Sequence, residues 1–239
     1  SMAKLVGESV VDFSGGVNLR DAPTGLAEDE LIESLNMEPT DRGLGLKGRG
    51  GQAAYNATAI DSNPILSLFR WYNTSGTGSL VASSGTQLWL GDDTAKTFSS
   101  IATGLTSGKR FTGTGWTTKN LFYLANGFDV AKTFDGTNIA NLGGTPPVYP
   151  FIRFHGDRLW IAGDNEVRYT AINVDNSWPA AQALNISDPK GSRTRFMLSY
   201  NGMLIIGKEG GLFRFRGSPV LGGDLNLFSS IGCDAGYTA

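Results

Sequence analysis

The chain has 239 residues, with 20 basic against 22 acidic side chains and a formal net charge of -2 at neutral pH. That balance excludes a surface built chiefly to neutralise phosphates, because such domains are clearly basic, although it allows a channel that nucleic acid merely passes through. A single cysteine, Cys233, and a single histidine, His155, exclude an internal disulfide and any Cys/His metal cluster.

A chain of this length buries roughly 70% of the surface its unfolded form exposes, so it needs no covalent staple. The composition is globular, at 40% hydrophobic and 18% charged. Its 33 glycines are nearly twice the usual share of roughly 7%, and their placement between short apolar runs reads as the turns of a many-stranded protein. No apolar run approaches the length of a membrane span. The first residues, Ser1 to Leu5, carry no apolar signal segment, so synthesis in a cytoplasm and no membrane span are expected.

Residues 1–25 form an extended lead-in containing Ser9-Val10-Val11-Asp12-Phe13 and then Gly15-Gly16. Residues 26–36 predict one short helix, with Leu31, Ile32 and Leu35 on one face and acidic residues in the first turn, where the helix dipole favours them. A helix this short must dock to persist. Residues 37–61 read as a Gly-rich loop. The expected division is therefore an N-terminal arm, 1–61, followed by blades over 62–239.

A repeat begins near residue 62. Ser79-Leu80-Val81-Ala82-Ser83-Ser84 is followed by Asn120-Leu121-Phe122-Tyr123-Leu124-Ala125, Arg158-Leu159-Trp160-Ile161-Ala162-Gly163 and Met203-Leu204-Ile205-Ile206-Gly207-Lys208, at steps of 41, 38 and 45 residues. That period matches four-stranded propeller blades of ~42 residues. Each central run has an upstream neighbour, at 66–71, 110–113, 151–154 and 195–198. Downstream runs follow three of them, at 87–90, 166–169 and 211–215. Between the runs lie His155-Gly156-Asp157, Asn201-Gly202, Asn126-Gly127, Asp164-Asn165 and Asp135-Gly136. Such pairs supply the positive φ angles of tight hairpins. Near-continuous apolar runs such as Met203 to Gly207 predict strands covered on both faces, and the Leu212/Arg214 alternation predicts a strand nearer a blade's outer edge.

The fold class is thus all-β and β-propeller-like, with about four blades; an evenly spaced β-sandwich is the competing architecture. The end of the chain, Gly236-Tyr237-Thr238-Ala239, supplies no closing strand, and propellers protect their open edge. Either residues 8–14 close a four-bladed ring or the chain is a piece of a larger propeller with a truncated C-terminus; the second is expected.

Few residues suggest chemistry. His155 sits in a hairpin turn, which accounts for it better than a general base oriented by Asp157. The acidic groups Asp92-Asp93, Asp164/Glu166 and Glu28/Asp29/Glu30 read as solvated charge rather than a glycosidase pair. Gly43, Gly45 and Gly48 lack the flanking strand and helix of a dinucleotide site. Basic residues beside aromatics (Phe69-Arg70-Trp71, Arg153-Phe154, Arg168-Tyr169, Arg214-Phe215-Arg216) recur at equivalent blade positions, which points to aromatics wedged between blades under arginine stems. No catalytic, metal or cofactor-binding residue is expected.

The lead-in is the most specific part. Phe13-Ser14-Gly15-Gly16-Val17-Asn18-Leu19-Arg20-Asp21-Ala22-Pro23 is followed by Leu35-Asn36-Met37 and by Gly43-Leu44-Gly45-Leu46-Lys47-Gly48-Arg49-Gly50-Gly51. This resembles the opening of tailed-bacteriophage propeller proteins similar to the tail nozzle (tail tubular protein B-like) and tail-hub proteins of short-tailed phages. By motif the resemblance covers residues 10–51, and by architecture alone 62–230. It implies a non-catalytic virion structural protein of the tail or head-to-tail connector. Copies would form a ring with other tail proteins, and DNA would pass through without sequence-specific binding. Phe13, Gly15, Gly16, Asn18, Arg20, Asp21, Pro23, Asn36 and Arg49 would then be interface residues. The chain is shorter than the nozzle proteins, and their tube-forming segments are not identifiable in it. The alternatives are a carbohydrate- or surface-binding propeller, with Trp71, Trp89, Trp116 or Trp160 lining a cleft, and a propeller glycoside hydrolase working through Asp164 or Glu166.

Overall fold

The computed structural model describes residues 53–188 and 190–233, together with the strand residues 16–17, 30–31, 37–39 and 46–48. The chain divides into two compact units, Ser1–Ala54 and Tyr55–Ala239. In the first, β1 (Gly16–Val17) pairs in parallel with β2 (Glu30–Leu31). The strands β3 (Met37–Pro39) and β4 (Leu46–Gly48) form an antiparallel pair. The helix predicted over 26–36 is not present at Glu30–Leu31, the two of its residues that are described. A single apolar face of three residues is too little to hold an isolated helix, and the backbone of Glu30–Leu31 pairs with β1 instead.

The second unit is a β-propeller-like fold of four blades, each a four-stranded antiparallel meander taken in chain order. Blade 1 comprises β5 (Ile65–Tyr72), β6 (Gly78–Ser84), β7 (Gln87–Asp92) and β8 (Thr97–Ala102). Blade 2 comprises β9 (Thr112–Trp116), β10 (Leu121–Ala125), β11 (Lys132–Phe134) and β12 (Ile139–Asn141), with a single 3-10 turn at Thr117–Lys119. Blade 3 comprises β13 (Phe151–His155), β14 (Arg158–Ala162), β15 (Glu166–Tyr169) and β16 (Ala183–Asn185). Blade 4 comprises β17 (Thr194–Tyr200), β18 (Met203–Lys208), β19 (Gly211–Arg216) and β20 (Asp224–Ser229). Residues 55–61, expected with the arm, pack instead on blade 1. The Tyr55 ring meets Phe98 at 5.3 Å, and Asp61 accepts a hydrogen bond from Ser84 Oγ at 2.7 Å.

The hairpins use the turn chemistry that the dipeptides supply. Gly156 and Asp157 both have φ of 56°, and Asn201-Gly202 have 46° and 71°, the two successive positive values of a tight β-hairpin. Asp135 Oδ1 accepts from the backbone N–H groups of Thr137 and Asn138, closing the turn between β11 and β12.

Because side chains alternate across a strand, the second strands of blades 2 and 3 each feed two different cores. In β10, Phe122 and Leu124 join the cluster between blades 1 and 2 with Trp71, Val81, Leu88 and Phe134. Its Tyr123 and Ala125 join the next cluster, between blades 2 and 3, with Trp116, Leu159, Ile161 and Trp178. In β14, Trp160 and Ala162 turn to the third cluster with Tyr169, Leu204, Ile206 and Phe215. An aromatic pair spans each junction: Trp71 with Phe122 at 6.2 Å between ring centroids, Trp116 with Phe154 at 4.8 Å, and Trp160 with Phe215 at 5.1 Å. Burial of large rings at about 25 cal/mol per Å² of apolar surface makes these junctions the main source of stability. Among the described residues no fourth cluster joins blade 4 to blade 1.

Candidate functional site

The first strands of the four blades, β5, β9, β13 and β17, stand around one central cavity of about 420 Å³. They do not exchange a backbone ladder with one another, so their inward backbone groups need other partners. Side chains supply them. Ser67 Oγ donates to the Phe111 carbonyl at 3.2 Å and accepts from the Phe111 N–H at 2.8 Å. Thr112 Oγ1 donates to the Pro150 carbonyl at 2.8 Å and accepts from the Ile152 N–H at 3.1 Å. Thr114 Oγ1 accepts from the Phe154 N–H, and Arg153 Nε donates to the Met197 carbonyl at 3.0 Å. The bridged residues lie 38 to 44 positions apart in the chain, about one blade on.

The wall is apolar apart from these hydroxyls and three arginines, Arg110, Arg153 and Arg195. Arg195 pairs with Glu209 at 2.5 Å. Arg153 is half-buried, and burial pushes its guanidinium below the ordinary arginine value.

The other groups with chemical potential serve the same bracing. His155 ends β13, buried, with Nδ1 2.8 Å from Ser199 Oγ of the next blade and its carbonyl accepting from Trp160 Nε1 at 2.9 Å. Burial pushes its imidazole below the usual histidine range and favours the neutral ring. Its side-chain hydrogen-bonding partner is Ser199 of the next blade, not Asp157. Glu166 accepts from Tyr149 Oη at 2.5 Å and from Arg168 Nε at 2.8 Å. These bonds, Tyr149 first, hold its carboxyl below the usual range. Asp164 Oδ1 accepts the Thr194 N–H at 2.9 Å, tying blade 3 to the start of β17. Asp92 closes its own turn through the N–H groups of Thr94 and Ala95, and Asp93 is held by Arg70 and Tyr55.

Sequence reasoning missed the strongest polar feature, an ion pair between Lys208 and Asp188. Their Nζ and Oδ2 lie 3.3 Å apart, with side chains 0% and 3% exposed. Lys208 Nζ also donates to the carbonyls of Asp164 and Ile186 at 2.7 and 2.9 Å. Burial opposes the charged carboxylate of Asp188, but hydrogen bonds from Ser192 and Lys208 outweigh it and hold the carboxyl down to about 2. A lysine ending an apolar strand was the available signal.

The tryptophans proposed for a cleft are placed differently. Trp71, Trp116 and Trp160 are buried between blades; Trp89 is half-buried. Of the candidate interface residues in the lead-in, Gly16 lies in β1. Phe13, Gly15, Asn18, Arg20, Asp21, Pro23, Asn36 and Arg49 lie outside the described residues.

No family model matches the chain. No curated protein matches it either. Among solved structures it is similar to a chain of the crystal structure of mitotic checkpoint complex, with a TM-score of 0.40 and 11% identity over 82% of this chain and 72% of that one. A likeness of this degree carries no information about binding or assembly.

Proposed function

We propose that the chain is a non-catalytic structural protein of a tailed-phage tail or head-to-tail connector, one of several copies arranged around the DNA exit channel. The observation that carries the non-catalytic part is the employment of the polar side chains. His155, Asp164, Glu166, Arg153 and Thr112 each hold one strand or blade to another. A catalytic group needs a lone pair or proton directed at substrate, and these are directed at the scaffold. What such a module offers its surroundings is rigid faces and rims. The viral setting rests on the resemblance of residues 10–51 to the tail nozzle group. A mildly acidic chain suits a conduit, because a basic lining would retain DNA.

The test is location. Particles of a tailed phage that encodes this chain are purified, and antibody against the chain, coupled to gold, is imaged by negative-stain electron microscopy. Labelling at the tail or the head-to-tail junction is expected. Particles that lack the chain by mass spectrometry would refute the reading.

The second reading, a carbohydrate- or surface-binding propeller, is supported by the central cavity with its arginines and phenylalanines. Saturable binding on a glycan panel, lost in Arg153→Ala, would favour it over the tail.

A further inference from the structure

The sequence holds two Asn-Gly pairs, Asn126-Gly127 and Asn201-Gly202. Glycine after asparagine leaves its backbone nitrogen unshielded, because it has no Cβ. The fold treats the two pairs differently. Asn126 is 2% exposed and its carboxamide is fully employed. Its Oδ1 accepts from the N–H groups of Phe128 and Asp129, and its Nδ2 donates to Asp129, whose carboxylate Thr106 holds in place. Gly127 is walled by Pro150, whose Cβ would stand 3.0 Å from a Cβ placed on the glycine.

Asn201-Gly202 is the open counterpart. The pair is the two-residue turn between β17 and β18, where Tyr200 pairs with Met203, and its φ angles are 46° and 71°. Both residues are exposed. Among the described residues neither the Asn201 carboxamide nor the Gly202 N–H has a hydrogen-bonding partner, and a Cβ placed on Gly202 would meet nothing within 4 Å. Nothing therefore holds the Gly202 nitrogen and the Asn201 carboxamide carbon apart, and the two are placed to close a five-membered ring.

We propose that Asn201 is a site of spontaneous deamidation and isoaspartate formation, and that the fold protects Asn126 from the same reaction. The Gly202 nitrogen attacks Asn201 Cγ and gives up its proton as the new N–C bond forms. The Cγ–Nδ2 bond breaks, and ammonia leaves a succinimide. Water then opens the ring. Breaking its bond to Cγ gives aspartate; breaking its bond to the main-chain carbonyl carbon gives isoaspartate. Either product adds one negative charge to the formal net charge of -2. Isoaspartate also lengthens the main chain by one carbon in a turn whose length sets the hairpin register, so the β17–β18 hairpin is the part of blade 4 that loosens with age. The proposal does not rest on the tail reading.

The experiment ages the full chain in mildly alkaline buffer, folded or in guanidinium chloride, and follows both Asn-Gly peptides by mass spectrometry after digestion in acid. Hydroxylamine, which cleaves the chain at a succinimide, is added to a parallel sample. In the folded chain the Asn201 peptide is expected to turn into a mixture of aspartate and isoaspartate, with hydroxylamine cleavage after residue 201, while the Asn126 peptide keeps its amide. In guanidinium chloride both peptides should convert. Asn201→Gly, which keeps a residue suited to the turn, should abolish the acidic species that isoelectric focusing of the aged, folded protein resolves. The proposal is overturned if the two sites convert equally in the folded chain, or if Asn126 converts first. It is equally overturned if Asn201 converts only in guanidinium chloride, or if the acidic species persists in Asn201→Gly.

Discussion

Lys208 on the second strand of blade 4 and Asp188, twenty residues earlier in the chain, form an ion pair withdrawn almost wholly from water. Removing one member leaves a buried charge without its partner, a change that costs about 3–5 kcal/mol. Lys208→Met should therefore lower the melting temperature by roughly 2–4 °C for each kcal/mol lost. Adding Asp188→Asn should recover much of the loss, because no buried charge then remains. Equal melting temperatures for parent and Lys208→Met, by calorimetry, would mean that the pair contributes nothing.

The same pair sets an acid limit. The Asp188 carboxyl is held at about 2 in the folded chain, against about 3.9 for an unperturbed aspartate. The unfolded chain therefore takes up the proton first as pH falls. Its contribution is complete above about pH 4 and is lost progressively toward pH 2. Urea unfolding across that range should show a shallower decline in Asp188→Asn than in the parent. An identical slope in the two would contradict the assignment.

Thr112 reaches from blade 2 to two backbone groups of blade 3. Thr112→Val keeps the shape and orphans the Ile152 N–H, which costs about 1–3 kcal/mol. Thr112→Ser, which keeps the hydroxyl, should lose less. Denaturant midpoints of the three proteins decide it; a valine variant as stable as the parent would show that the bridge is not needed.

Trp71, Trp116, Trp160 and Trp178 are at most 7% exposed, while Trp89 is half-buried. Acrylamide should quench only a minor, Trp89-dependent part of the emission, and Trp89→Phe should remove that part. Emission fully quenched in the folded protein would contradict the placement and revive the tryptophan-lined cleft.

Much of this architecture is legible in the sequence. The four apolar runs beginning near Ser79, Asn120, Arg158 and Met203 are the second strands of the four blades. They stand out because strands covered on both faces must be apolar at nearly every position, although the run from Met203 to Gly207, expected to be covered so, leaves Met203 and Ile205 only half-buried on one side. Gly156-Asp157 and Asn201-Gly202 mark their hairpins because few other residues tolerate two positive φ angles in succession. The recurring aromatics do wedge between blades, as Trp116 with Phe154 and Trp160 with Phe215 show. The fourth strands were not legible. β12 and β16 are three residues each, partly exposed, and too short to display an alternation.

What the chain determines by itself is local: which runs are apolar on both faces, and where the backbone can turn back. Which blade meets which depends on groups 38 to 44 residues apart that no local pattern links. Ser67, Thr112 and Thr114 look like ordinary surface hydroxyls until the neighbouring strand brings an unpaired backbone group within reach. Lys208 looks like the polar end of a strand until the loop from blade 3 lays Asp188 and two carbonyls around its ammonium. The open face of blade 4 could not be told from a buried one in sequence, since Ile205 and Ile206 are the same residue. Only the tertiary structure, by putting blade 3 against one and nothing described against the other, separates them.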